Sequence, residues 1–122
     1  MNQPRLHVRE IDGHETTDIC GKAIDLINPD LAASEKISLA TIYIDPGKSS
    51  KPHYHKTTEE IYYFVEGHGR VIVEEQVFNV APGSAVYIPL LKLHQIINDS
   101  SVRLKLLSAD APPFDPVDVH YT

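Results

Sequence analysis

Residues 47–69 read GKSSKPHYHKTTEEIYYFVEGHG, and this stretch decides the fold that the sequence predicts. His53 and His55 are separated by one residue, so on an extended chain both imidazoles lie on one side while Tyr54 faces away. Two imidazoles directed at one point are typical of a metal site.

A carboxylate follows the two histidines within the length of one turn. Glu59 and Glu60 come after the residues KTT, where the next strand is expected to begin. If residue 60 opens that strand, Glu60, Tyr62 and Phe64 share one face, because side chains alternate along a strand. The pattern then predicts a carboxylate beside the two imidazoles.

His94 offers a third imidazole, because it follows the turn PLLKL and opens the apolar run HQIIN. Three neutral nitrogens and one carboxylate oxygen, without a thiolate, suit Mn(II), Fe(II), Co(II), Ni(II) or Zn(II). Four protein ligands leave open positions for water or substrate on a six-coordinate ion. We therefore predict one divalent transition metal ion per chain.

The chain from residue 37 onward consists of short apolar runs rich in Val, Ile, Tyr and Phe, with turn residues between them. The runs are 37–44, 60–67, 70–75, 76–83, 85–89, 94–98 and 102–109. This spacing predicts an all-β sandwich or barrel. A helix is expected only within 26–36, where Pro29 suits a first turn and Asp30 suits the positive end of the helix dipole.

A chain of 122 residues is long enough for one hydrophobic core, and we divide it into three parts. Residues 37–110 are the predicted barrel. Residues 1–36 are predicted to be an N-terminal arm, with strands that complete the barrel or exchange with a partner subunit, which favours a homodimer. Residues 111–122 are Pro-rich and are expected to lie extended against the surface.

Composition excludes several classes of partner. The formal net charge is −6, and no cluster of Lys or Arg is longer than two residues, which argues against binding to nucleic acid or anionic lipid. No apolar run approaches the roughly 20 residues that span a bilayer. The single cysteine, Cys20, permits no intrachain disulfide and is expected to be a small buried side chain. We predict a cytoplasmic protein with a small-molecule ligand or substrate.

The residues above resemble the first motif of the cupin superfamily of small β-barrel proteins. That motif is a glycine, five residues, His-x-His, three or four residues, Glu, six residues and Gly. Here it is formed by Gly47, His53, His55, Glu60 and Gly67, without departures. The resemblance implies a double-stranded β-helix, or jelly-roll, barrel, and its spacing selects Glu60 rather than Glu59 as the ligand.

The second cupin motif is formed by Gly83, Pro89, His94 and Asn98, but Leu91 stands where the family usually has glycine. Glycine there normally supplies a positive φ, which costs leucine roughly 1 kcal/mol or more. Either the turn has another shape or strain is tolerated. Beyond the motifs, EEIYYFVEGHGRV, APGSAVYIP and APPFDP resemble the single-domain, conserved-barrel (cupin 2) members.

Function is less determined by the sequence than the fold, since one barrel hosts unrelated activities. A metal-dependent enzyme acting on a small oxygenated metabolite is the first hypothesis, with isomerase, lyase, decarboxylase or dioxygenase chemistry. A ligand-binding or sensory barrel without turnover is the second, and a purely structural barrel is a weaker third. A degenerate barrel that keeps the four residues without binding metal tightly is also considered.

Two tyrosines are candidates for acid or base chemistry in such an enzyme. Tyr62 is the candidate catalytic residue, because it is expected to point inward two residues after Glu60; aromatic packing is its alternative. Tyr121 could serve the same purpose or belong to a surface tail. The histidines without neighbouring ligand candidates are expected at the surface: His7, His14, His68 and His120.

Overall fold

A computed structural model of the protein describes residues 5–18 and 21–121. Cys20, expected to be a small buried side chain, lies outside the described residues. No helix within these two ranges is long and apolar enough to cross a membrane.

Strands account for most of the regular secondary structure. The strands found in the described residues are β1 (His14–Asp18), β2 (Gly21–Ile27), β3 (Ser38–Ile44), β4 (Glu59–Glu66), β5 (Gly69–Val73), β6 (Gln76–Val80), β7 (Ala85–Ile88), β8 (His94–Ile97) and β9 (Leu104–Ala111). They form two antiparallel sheets, with the orders β1-β2-β3-β9-β4-β7 and β6-β5-β8. Each run predicted from residue 37 onward overlaps one strand, and the prediction of an all-β barrel is confirmed.

Inward-facing and outward-facing side chains alternate along β4. Tyr62 and Phe64 are fully buried, whereas Ile61 and Tyr63 are 51% and 45% exposed. The buried set packs with apolar side chains from both sheets, among them Ile44, Val71, Ile88, Ile96, Leu104 and Leu106. Complete burial of one such side chain contributes about 1.5–3 kcal/mol, so this interior stabilises the barrel around the predicted ligands.

The helix expected within 26–36 is a single turn, α1 (Pro29–Ala32). The side chain of Asn28 caps it by accepting a hydrogen bond from the Leu31 N–H, and Pro29 occupies the first turn. Ala33 ends the helix in the left-handed conformation, with φ +56°. The short helix therefore bridges β2 and β3 without adding a layer to the fold.

The N-terminal part packs on the barrel of its own chain. β1 pairs with β2, and β2 pairs with β3, so both strands extend the larger sheet. A 3-10 helix at Glu10–Asp12 precedes them, and Glu10 accepts a hydrogen bond from the Tyr43 hydroxyl. Exchange of this segment between two subunits stays a prediction.

Gly67 and Leu91 are motif residues that have a positive φ in turns. Gly67 has φ +78°, and a Cβ there would lie 2.5 Å from the backbone oxygen of Arg103, so only glycine fits. Leu91 has φ +66°, so the turn keeps the shape that glycine would give and the strain is tolerated. The Leu91 N–H donates to the His55 backbone oxygen at 2.8 Å, which holds this turn against the ligand loop.

Asn98, the last residue of the second motif, joins three parts of the backbone. Its fully buried side chain donates to the backbone oxygens of Ile44 at 2.8 Å and Val102 at 2.9 Å. Its Oδ1 accepts from the Ser100 N–H at 3.1 Å. Because each of these backbone groups would be costly to leave unpaired, Asn98 has a structural role in the barrel.

Candidate metal centre

The four predicted ligands converge inside the barrel. His53 and His55 come from the loop before β4, Glu60 lies on β4, and His94 opens β8. One possible ligand atom from each residue lies within 4.8 Å of the others, and all four side chains are buried. The backbones of His53 and His94 also pair, with N–H to O distances of 3.1 and 2.8 Å, which brings the loop to the start of β8.

Each of the three histidines is oriented by a backbone oxygen. Nδ1 of His53 lies 2.7 Å from the Lys51 oxygen, and Nδ1 of His94 lies 2.9 Å from the Lys92 oxygen. Nδ1 of His55 lies 2.8 Å from the Asp118 oxygen. Since a carbonyl only accepts, each Nδ1 carries the proton, and Nε2 of the neutral ring keeps a lone pair. This is the arrangement of metal-binding histidines.

The Nε2 atoms of His55 and His94 have no ordinary partner. They lie 2.9 and 3.2 Å from Oε1 of Glu60. Neither contact meets the geometry of a hydrogen bond, and both atoms are buried without such a partner in the described part of the chain. Lone pairs facing a carboxylate repel it, and a cation between them removes the repulsion. The donor set therefore fits a transition metal ion.

The pKa values of the four-residue cluster point to the same need for positive charge. Burial raises the pKa of Glu60, but His55 and His94 outweigh burial and lower it below its usual range. Burial lowers the pKa of His55, but the Glu60 carboxylate outweighs it and raises that pKa. Burial, with the nearby His94, lowers the pKa of His53 to about 4. His53 is thus neutral near pH 7, as a ligand must be.

Glu60 is surrounded by residues of two strands. The Tyr62 hydroxyl donates to Oε1 at 3.4 Å, and the Ser108 hydroxyl lies 3.3 Å from Oε2. Ser108 also lies 3.1 Å from Oδ1 of Asp110, which is directly opposite Glu60 in the sheet. Burial and the neighbouring Glu60 raise the pKa of Asp110, so its carboxyl keeps a proton. Ser108 and Asp110 were not predicted as site residues.

Glu59 lies on the opposite face from Glu60, as the alternation predicts. It is exposed, and the Tyr87 hydroxyl donates to its carboxylate. Its register partner on β9 is Ala111, at the end of the strand. Glu59 is therefore a natural control for substitutions of Glu60.

The C-terminal segment makes several hydrogen bonds to the ligand loop, a contact that was not predicted from the sequence. The Asp118 carboxylate accepts from the Lys56 N–H at 2.9 Å, and from the N–H and hydroxyl of Thr57 at 3.0 and 2.7 Å. His120 Nε2 lies 3.1 Å from the same carboxylate, and its backbone pairs with that of Tyr54. The tail contains a 3-10 helix, Pro116–Asp118, and pairs with the ligand loop at His120.

A cavity of about 530 Å³ opens beside the cluster. Its walls include the ligands His53, His55 and Glu60 and the tail residues Phe114 and Tyr121. Other lining residues come mainly from β1, β2, β3 and β9: His14, Thr16, Thr17, Ala23, Asp25, Ser38, Leu39, Ala40, Ile42, Ser108 and Asp110. The volume suits a small metabolite.

A more open depression of about 630 Å³ lies away from the cluster, and its lining residues are Val73, Glu74, Glu75, Gln76, Phe78, Tyr87, Pro89 and Lys92. None of the four clustered residues lines it, so we place the candidate site in the smaller cavity.

The other histidines considered in the sequence, and Tyr121, do not belong to the four-residue cluster. His7 and His68 are exposed, and His14 is exposed at the cavity wall. His120 is half-buried by its contacts with the ligand loop. Tyr121 is at the cavity wall, with Lys51 Nζ 5.9 Å from its ring centre.

Comparisons with known proteins agree with this geometry. The cupin domain family matches residues 40–110. An uncharacterised protein of Methanocaldococcus jannaschii is 36% identical over 94 residues, covering 77% of this chain and 75% of that protein. The oxalate decarboxylase of Bacillus subtilis is 26% identical over 83 residues, covering 64% of this chain but only 22% of the enzyme.

Similarity to solved structures extends over nearly the whole chain. A protein from Planctomyces limnophilus superposes with a TM-score of 0.81 at 24% identity, covering 96% of both chains, which shows a shared fold. The family match includes more than half of the chain, and the Methanocaldococcus protein is similar over most of its length. The chain therefore belongs to the cupin domain family.

Proposed function

We propose that this protein is a metal-dependent enzyme acting on a small oxygenated metabolite, with His53, His55, Glu60 and His94 holding one divalent ion. The observation that carries the proposal is the set of three Nδ1-to-carbonyl contacts, at 2.7, 2.8 and 2.9 Å. These contacts leave the Nε2 lone pairs for a cation. Manganese, iron, cobalt, nickel and zinc all suit the donor set.

A bound ion would supply Lewis-acid chemistry, polarising a carboxylate or enolate oxygen of the substrate. The protein's own residues select and hold that substrate. The buried ligand set lies at the wall of a cavity of about 530 Å³, which limits the substrate to a small molecule. Ser108 and Asp110 hold the Glu60 carboxylate in place. Isomerisation, elimination, decarboxylation and reaction with dioxygen are the candidate reaction classes.

A binding or sensory barrel without turnover is the second candidate function. It would be favoured by a cavity with no titratable group other than the ligands. Instead, the cavity wall also includes His14, Asp25 and Asp110, which supports the enzyme. The likeness to oxalate decarboxylase spans only 22% of that enzyme, so it supports a metal-assisted reaction without identifying the substrate.

We also propose that the protein acts as a homodimer. Ile61, Tyr63 and Tyr87 form an exposed apolar row on the outer face of β4 and β7, with 51%, 45% and 54% exposure. Burial of this row against a second copy would remove apolar surface from water. Light scattering at micromolar concentrations should give twice the chain mass, and a monomer mass would exclude the dimer.

The proposed function is tested by metal content and turnover. Metal emission spectroscopy of purified protein should give close to one equivalent per chain, and the double variant His53→Ala, His55→Ala should lose it. Glu59→Gln, on the opposite face from Glu60, should keep it. Full occupancy in the double variant would exclude the ligand set.

Turnover is then screened with small hydroxy acids and keto sugars, with and without dioxygen. Product formation that requires bound metal supports the enzyme. Ligands that raise the melting temperature without being converted would favour the binding barrel.

A further inference from the structure

The cavity beside the cluster has an unusual balance of charge. Within the described ranges, its lining residues include the acids Asp25, Asp30 and Glu60, together with the protonated Asp110, and contain no lysine or arginine. Lys51 contacts the ring of Tyr121 but is not a lining residue. A ligand with several negative charges would therefore find no lysine or arginine in this wall, and the histidine outside the cluster, His14, is directly opposite Asp25.

Asp25 stands out among these acids because of its place in the sheet. It lies on β2, directly opposite His14 on β1 and Ala40 on β3. Ala40 is in turn opposite Ser108, and Ser108 is opposite Tyr62, so one row of positions runs from Asp25 to the strand of the Glu60 ligand. Asp25 thus lies on the same face of the larger sheet as Ser108 and lines the same cavity as the cluster.

The Asp25 carboxylate is half-buried, and no hydrogen bond to it is found in the part of the chain that the structure describes. Burial raises its pKa, and His14 only partly opposes this effect. A half-buried carboxylate without a hydrogen-bond donor is stabilised when a ligand brings a donor or a positive charge beside it. The hydroxyls of Thr16 and Ser38 also line the wall, so the surroundings favour a hydroxylated ligand.

Acidic residues alone do not form a binding site, but the same cavity wall also includes members of the four-residue cluster. The Nε2 atoms of His55 and His94 are buried and lack a hydrogen-bond partner in the described residues, and His55 itself lines the cavity. One end of a ligand would therefore bind at the cation site, and its other end would lie in the part of the same cavity that Asp25 lines. The two ends of such a ligand therefore need different functional groups.

We propose that the cavity takes a small ligand with an oxygen-donor end at the cluster and a hydroxyl or ammonium group toward Asp25, and that Asp25 selects against dianions. The inference rests on the proposed metal-dependent function. A longer dicarboxylate such as malate fits this wall poorly, because its far carboxylate would face carboxylates rather than a cation.

Three small acids, malate, glycerate and isoserine, can test which charge the Asp25 end of the cavity accepts. All three are 2-hydroxy acids, and their far ends carry a carboxylate, a hydroxyl and an ammonium group respectively. Titration calorimetry on metal-loaded protein should show that glycerate and isoserine bind at least about 10-fold more tightly than malate. Asp25→Asn should reduce the preference for isoserine over malate by about 10-fold. Asp45→Asn removes an equal charge at an exposed position outside the cavity and should leave the preference unchanged.

The outcomes distinguish the inference from the function on which it rests. A wild-type protein that holds no metal would overturn the proposed function. Full metal loading with malate bound as tightly as isoserine, or with none of the three probes bound, would overturn the inference alone. Full loading with a preference that Asp25→Asn leaves unchanged would remove Asp25 as the selecting residue. Metal content and melting temperature, measured for each variant, show that the fold and the cluster are intact.

Discussion

The backbone oxygen of Asp118 accepts a hydrogen bond from Nδ1 of His55 at 2.8 Å, across 63 residues of sequence. The side chain of Asp118 holds the same loop through Lys56 and Thr57. One residue of the tail therefore fixes both the backbone of the ligand loop and the ring orientation of a ligand. Such supporting contacts are as much a part of a metal site as its ligands.

Substitution of Asp118 is expected to weaken metal binding without removing any ligand. Asp118→Ala leaves the N–H groups of Lys56 and Thr57 without their acceptor, so the loop and the His55 ring lose their fixed position. We expect the dissociation constant for metal to rise about 10-fold, measured by competition with a chelator. Asp99→Ala, which breaks an exposed contact with Arg70, is the control. Equal affinity in Asp118→Ala and wild type would contradict the role of the tail.

Relief of strain at Leu91 should stabilise the protein. The residue has φ +66° and is 60% exposed, so glycine would remove an unfavourable conformation and little buried surface. We expect Leu91→Gly to raise the free energy of unfolding by up to about 1 kcal/mol, measured by urea denaturation, after the greater freedom of unfolded glycine is counted. Leu91→Ala keeps the strain and should change little. A clear loss of stability in the glycine variant would show that the Leu91 side chain has a packing role.

A proton-transfer role for Tyr62 stays a prediction, with aromatic packing as its alternative. Its hydroxyl is 3.4 Å from Glu60 Oε1, and its ring is fully buried against Phe64 and His94. Tyr62→Phe should lower turnover by about 10²-fold while metal content stays the same. Tyr63→Phe, on the outer face, is the matched control. An unchanged rate would assign Tyr62 to packing alone.

The contact of the N-terminal segment with the barrel should depend on pH. Burial raises the pKa of Glu10, but hydrogen bonds with Tyr43 and Thr41 and the charge of Lys105 outweigh it and lower that pKa below 4.5. A lowered pKa means that the charged form stabilises the folded state above about pH 4.5, and that this contribution is lost as pH falls further.

Glu10→Gln should therefore cost roughly 0.5–1 kcal/mol at pH 7, because the contact is only partly buried, and the difference should shrink toward pH 3. Denaturation at both pH values checks this. A difference that grows on acidification would contradict the assignment.

Much of the barrel and four of its inward-facing residues could be predicted from local patterns. Alternation along a strand decides which side chains share a face, so Glu60 and Tyr62 are separated from Glu59 by sequence alone. The resemblance to the cupin motifs then supplied spacing that local patterns lack. It also marked Leu91 as unusual, and the structure explains the departure as tolerated strain.

The supporting residues could not be predicted in this way, because they depend on which distant strands pair. Ser108 and Asp110 reach Glu60 only because β9 lies beside β4, and nothing within β9 specifies that neighbour. Asp118 belongs to a Pro-rich tail whose path is set by its contacts rather than by a periodic pattern. Local propensity carries no information about such long-range pairs.

Ser108 and Asp118 are far in sequence from the ligand candidates that they contact, and this separation affects how the protein folds. The contact between Ser108 and Glu60 closes 48 residues of chain, and that between Asp118 and His55 closes 63. Loops of this length form slowly, because their entropy is lost before their contacts are gained. We therefore expect tight metal binding only after β9 and the tail have docked, so that metal uptake in refolding experiments would be a late kinetic signal of the completed native state.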